Sequence, residues 1–87
     1  MRIGVATVCA RRGEKAKNLE KIVSFGEQAA SQGCRLVVFP EYSVNGPWVS
    51  YDPGAEIEDL RKDAEPIPGP TTEALAGHAD RLRLAFS

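Results

Sequence analysis

The stretch Leu36-Val37-Val38-Phe39-Pro40-Glu41 constrains the fold of this chain more than any other. Strands covered on both faces of a parallel sheet read as unbroken runs of Val, Leu and Phe rather than as alternating patterns. Pro40 has no N–H to give a ladder and holds Phe39 extended, so the run closes there as a strand. Glu41 is then the first residue past the carboxyl end, the edge at which open α/β sheets bind ligands. A lone carboxylate in that place reads as a solvated loop residue or as part of a site. The flanking sequence favours the site, with Glu41 partly buried at the sheet edge.

Upstream, residues 2–9 are rich in β-branched and small side chains and predict a first strand, with Gly4 and Ala6 leaving room for close packing on one side. From Glu14 the period changes. Ala16, Leu19, Ile22 or Val23, Gly26, and Ala29 or Ala30 recur every three to four residues, which predicts an amphipathic helix. Lys15, Lys17, Glu20, Lys21, Glu27 and Gln28 fall on its wet face. Glu14 suits the start of that helix and Gly33 its end. Strand, helix and the second strand at residues 35–39 make one parallel, right-handed βαβ unit, so the fold class is α/β.

Downstream, residues 42–70 hold five of the six prolines, and Asn45-Gly46-Pro47 is a turn signal. A stretch this long between regular elements is usually functional or disordered. Residues 57–62 predict a short helix with Ile57 and Leu60 as its apolar anchors. Pro68-Gly69-Pro70 introduces a further helix, with Pro70 suited to the first helical position and Leu75, Ala79 and Leu82 on its apolar face. Leu84-Ala85-Phe86 reads as the opening of a third strand, cut off at Ser87, which predicts a fragment of a larger sheet.

Length and charge exclude several classes. A chain of 87 residues is one domain at most, and at that size only about 60–65% of the unfolded surface is buried. Eleven basic and 12 acidic residues leave a net charge of −1, so neither nucleic acid nor an anionic membrane is an electrostatic partner. No apolar run approaches the roughly 20 residues of a membrane span. Cys9 and Cys34 make no disulfide framework, which points to a reducing, cytoplasmic setting. The first turn, Ala10-Arg11-Arg12-Gly13, is not a glycine-rich phosphate loop. No His/Cys cluster suggests zinc, and the expected site needs no metal or other cofactor.

Three local patterns, in this order, carry a resemblance: Lys17-Asn18-Leu19 in the first helix, Leu36-Val37-Val38-Phe39-Pro40-Glu41, and Ile67-Pro68-Gly69-Pro70-Thr71 before the last helix. Together they resemble the amino-terminal part of the nitrilase, or carbon–nitrogen hydrolase, superfamily. The resemblance covers essentially the whole chain and makes residues 1–87 the first part of such a domain. It implies the beginning of a four-layer α-β-β-α sandwich and a Glu-Lys-Cys triad acting on a small amide or nitrile. In that chemistry a cysteine thiolate attacks the nitrile or amide carbon, a lysine stabilises the tetrahedral species, and a glutamate is the general base. Glu41 matches the base. The family's lysine and cysteine match no position here, so the chain by itself is expected to be inactive. A non-catalytic α/β module, stable only against a missing half or another copy, is the alternative, and a homo-oligomer is expected.

The remaining candidates read differently. Cys9 lies near the carboxyl end of the first strand, where a Cys–Glu couple is conceivable, but a buried cysteine acting as a small hydrophobe is far commoner. Cys34 reads as structural. His78 reads as a surface residue without a partner, and Lys62 as part of a solvated charged segment. Tyr42, Trp48 and Tyr51 follow Glu41 closely. They wall a substrate pocket, cover the sheet or lie between subunits, and the sequence leaves these open, with Tyr42 and Trp48 taken as candidate substrate contacts.

Overall fold

The computed structural model describes residues 1–41, 43–46, 62 and 64–87. Its elements are β1 (Ile3–Val5), α1 (Lys15–Ser31), β2 (Leu36–Val38), α2 (Pro70–Leu82) and β3 (Ala85–Phe86). The three strands form one parallel sheet in the order β1-β2-β3, with Ile3 opposite Leu36 and Leu36 opposite Ala85. This is the expected βαβ unit extended by a second crossover. Two crossovers of one hand, stepping in the same direction, place both helices on the same face of the sheet.

That face explains the burial. Side chains alternate across a strand, so Val37 of the central strand points at the helices and is only 2% exposed. Ile22 of α1 and Leu84, which leads into β3, complete the fully buried apolar core. Gly4 faces α1 and the start of β2, where a Cβ would stand at ordinary contact distance, 3.5 Å from the Cys34 sulfur and 3.6 Å from the Ala29 methyl, so the expected close packing leaves room for a methyl group. Gly26 admits the Phe86 ring, which stands 6.0 Å from the Phe39 ring between centroids. Among the described residues the opposite face is open at β1, while Leu36 and Val38 of β2 are half-buried there. Ile3 is 54% and Val5 81% exposed, although parallel sheets are normally covered on both sides.

Helix boundaries follow local chemistry. Gly33 adopts φ +80° just past α1, and its N–H donates to Ala30 O while Cys34 N–H donates to Ala29 O. A glycine in the left-handed region satisfies the last carbonyls in this way. At α2, Pro70 occupies the first turn as expected. Arg83 closes the helix with φ 53°.

Three expectations need correction. β1 spans Ile3–Val5 rather than residues 2–9. One further ladder bond, Ala6 N–H to Val38 O, extends the pairing; beyond it Pro40 has ended the partner strand, so residues 7–9 have nothing to pair with. β2 is likewise shorter than residues 35–39, although Arg35 and Phe39 N–H groups still donate to Arg2 O and Ser87 O. On α1, Ala16 is exposed and the buried positions are Asn18, Ile22 and Gly26. The first turns of α1 face loops with polar backbone groups rather than the sheet, so a hydrogen-bonding residue occupies the inner stripe there. The helix expected over residues 57–62 lies outside the described residues except for Lys62, which is exposed.

The two helical glycines predict opposite outcomes. A Cβ at Gly26 would stand 2.6 Å from Phe86 Cε1, whereas one at Gly77 meets nothing within 4 Å. Gly77→Ala should stabilise the fold by about 0.5–1 kcal/mol. Gly26→Ala should destabilise it by about 1–2 kcal/mol, because the clash outweighs the same propensity gain. Urea-denaturation midpoints of the two variants check both signs.

Candidate active site

Glu41 lies in a turn directly past the carboxyl end of β2, as expected, and residues 43–45 are also in turn conformation. It is exposed rather than partly buried. The strand has ended at Val38, and the turn carries Glu41 beyond the helix-covered part of the sheet. The backbone on either side is tied down. Phe39 N–H donates to Ser87 O at 2.7 Å. The Ser43 hydroxyl donates to Pro40 O and closes the turn. Val44 O accepts from Asn18 Nδ2 at 2.7 Å, and Asn45 O accepts from Gly13 N–H at 3.0 Å.

Gly46 makes this arrangement possible. Its φ is +84° and an added Cβ would fall 2.3–2.5 Å from the Arg11 and Arg12 backbone. Only glycine fits that conformation without strain and that approach without a clash. The loops following β1 and β2 thus meet backbone to backbone at the carboxyl edge. Beside them a cavity of about 390 Å³ opens between the helices and the sheet end, lined among the described residues by Ile22, Phe39, Pro40, Ser43, Leu75 and Phe86, among others. Pro40 directly before Glu41 and Ser43 two residues after it line this cavity, but Glu41 itself does not.

A second carboxylate, Glu65, closes the charged segment that read as a solvated face, and the structure gives it a role there instead. Glu65 is half-buried and its oxygens take three donors: Lys15 Nζ at 3.0 Å, the Thr71 hydroxyl at 2.8 Å and the Thr71 N–H. It caps α2 from upstream, because Gly69 at the N-cap has no side chain to do so. Lys15 therefore joins α1 to α2 rather than sitting on a purely wet face. These hydrogen bonds, that from Lys15 foremost and those from Thr71 next, hold the Glu65 carboxyl below its ordinary pKa. The signal available in the sequence was a glutamate just before the Pro-Gly-Pro helix start, and its partners were not.

The other candidates separate. Cys9 is exposed, not a buried hydrophobe, and lies four residues past β1; its carbonyl accepts from Lys21 Nζ at 2.6 Å. Its exposure follows from the shortness of β1. Cys34 is half-buried against Gly4, and both cysteines are free thiols. His78 is half-buried and has a partner after all: Arg81 Nη2 stands 2.9 Å from its Nδ1, one helical turn on. Arg81 also reaches Glu27 of α1 at 3.7 Å. Tyr42, Trp48 and Tyr51 lie outside the described residues. Among the described residues no group of three or more His, Cys, Asp or Glu could hold a metal ion, and no helix is long and apolar enough to cross a membrane.

A parallel α/β unit with an acid on the turn past its central strand defines a class in which function sits at the carboxyl edge of the sheet. The carbon–nitrogen hydrolase family model matches residues 2–87, and the chain belongs to that family. A carbon–nitrogen hydrolase kind of function follows from that membership. A search of curated proteins found no match.

Glu65 makes a prediction for acid stability. A carboxylate whose folded pKa lies below its unfolded value contributes stability above the unfolded value and loses it as pH falls through the folded one. Glu65→Gln should therefore be less stable than the parent at neutral pH. The difference should shrink as pH drops below about 4 and nearly vanish once both carboxyl forms are neutral. Urea denaturation at a series of pH values checks this, and a pH-independent difference would show that Glu65 acts through packing alone.

Proposed function

We propose that the chain contributes the general base of a hydrolase that converts small amides or nitriles to carboxylic acids, with Glu41 as that base. The observation that carries the reading is the family match over residues 2–87 together with Glu41 on the tied-down turn past β2. Its triad partners, a lysine and a cysteine, come from outside residues 1–87. Glu41 takes the proton of the thiol, and the thiolate attacks the substrate carbon. The lysine ammonium stabilises the charge that develops on the tetrahedral species. Glu41 passes the proton taken from the thiol to the departing ammonia or amine and, again a carboxylate, deprotonates the water that hydrolyses the thioester; with a nitrile, a first water adds to the thioimidate before ammonia leaves. A free thiol is only partly ionised at neutral pH, so the cysteine depends on this base. Tyr42 and Trp48, close behind Glu41 in sequence, are taken as substrate contacts. No cofactor enters these steps, and the two free thiols accord with a cytoplasmic setting.

A second layer completes the proposal. The sheet face away from the helices exposes the apolar side chains of Ile3 and Val5, and exposed apolar surface of this kind favours association. In the hydrolase reading that face packs on a second sheet of an α-β-β-α sandwich. In the alternative reading, a non-catalytic module, it packs on another copy. Sedimentation of the isolated chain should show self-association. A cooperatively unfolding monomer would show that the face needs no cover.

Turnover tests the catalytic role. In a hydrolase containing residues 1–87, Glu41→Gln keeps the side-chain shape and removes the base. Turnover of small amides or nitriles should fall by about 10²–10⁴-fold, while Cys9→Ala should leave it unchanged. The 87-residue chain alone should show none. Undiminished turnover in the Glu41→Gln enzyme would remove the assignment.

A further inference from the structure

Asn18 is the most deeply buried polar side chain among the described residues, with no exposed surface. It stands inside α1, where asparagine is a poor helix former. A buried amide without partners is costly, yet this one makes three hydrogen bonds. Its Oδ1 accepts from Arg11 N–H at 2.9 Å. Its Nδ2 donates to Arg11 O and to Val44 O, both at 2.7 Å. Two carbonyl acceptors and one N–H donor fix which end of the amide is nitrogen. An apolar residue on the same stripe would leave all three backbone groups without these partners.

Those backbone groups belong to two different loops. Arg11 lies in the turn after β1, and Val44 in the turn that carries Glu41. From Glu41 toward the sheet the chain is held at Phe39 by Ser87 O. On the other side it is held at Val44 by Asn18, with Asn45 O on Gly13 N–H as a supporting bond. The close approach at Gly46 leaves the two loops no room to slide past each other.

We infer that Asn18 is a positioning residue for Glu41: its buried amide clamps the turn after β1 to the turn after β2 and so fixes where the carboxylate stands. The loop clamp rests on geometry alone, and its catalytic consequence rests on Glu41 being the base. A general base works only within hydrogen-bond reach of its proton, and misplacement by about 1 Å can cost on the order of 100-fold in rate.

Two variants and two readouts test this. Asn18→Ala removes all three bonds. Asn18→Asp keeps the shape and the acceptor for Arg11 N–H but loses both donors. Amide hydrogen exchange is followed at Arg11 and Gly13, with Ala6 and Ser87, which donate to Val38 O and Val37 O, as references within the sheet. In Asn18→Ala, Arg11 and Gly13 should exchange at least about 10-fold faster relative to the references. In Asn18→Asp, Gly13 should be released in the same way while Arg11 stays protected. Equal acceleration at all four amides would mean that Asn18 contributes general stability only, and would overturn the clamp. Should the Ala variant fail to fold, the Asp variant decides by the same ratio. In a hydrolase containing this chain, Asn18→Asp should lower kcat by about 10–100-fold with KM nearly unchanged. Loss of the loop clamp with unchanged kcat, in an enzyme where Glu41→Gln is inactive, would overturn the positioning role. An active Glu41→Gln enzyme would instead sink the catalytic reading and leave the clamp to the exchange ratio.

Discussion

Parallel pairing of β2 on both of its edges is the constraint on which the other contacts depend. A parallel partner cannot be reached by a hairpin, so each pairing demands a crossover, and here both crossovers contain a helix. Because both step the same way across the sheet, α1 and α2 come to lie on one face. The core at Val37, Ile22 and Leu84 follows from that placement. So does the close approach of Gly26 in α1 to the Phe86 ring.

The same constraint builds the site. Parallel strands end on the same side, so the turns after β1 and β2 emerge together at the carboxyl edge. Their backbones carry donors and acceptors that no strand continues to pair. Asn18 satisfies three of them from inside α1, and Gly46 lets the loops touch. A polar residue at the amino-terminal end of the buried stripe is thus tied to the edge chemistry rather than to the core.

Electrostatics plays a smaller, more local part. The ion pairs of Glu14 with Arg11 and Lys17 are loose, at 3.8 and 3.7 Å, and largely exposed, so they contribute little. Glu65 differs because its charge meets a lysine, a hydroxyl and a helix N-terminal N–H at once. Charge-assisted bonds to several donors are the stronger kind, and they fasten the start of α2 to α1.

The order of elements was legible in the residues themselves. Pro40 stops β2, Gly33 ends α1, Pro70 starts α2, and the apolar run 36–39 marks the central strand, because each rests on local backbone sterics or on side-chain periodicity. The place of Glu41 at the sheet edge was legible for the same reason. Its exposure, the shortness of β1, the burial of Asn18 in place of Ala16 and the capping by Glu65 were not. These depend on groups brought together over long separations in the chain, 26 residues between Asn18 and Val44 and 50 between Lys15 and Glu65. Periodicity shows which side of a helix is buried, but not whether that side meets an apolar sheet or the unpaired backbone of two loops. Tertiary structure decided that, because only the folded sheet brings those loops to the first turns of α1.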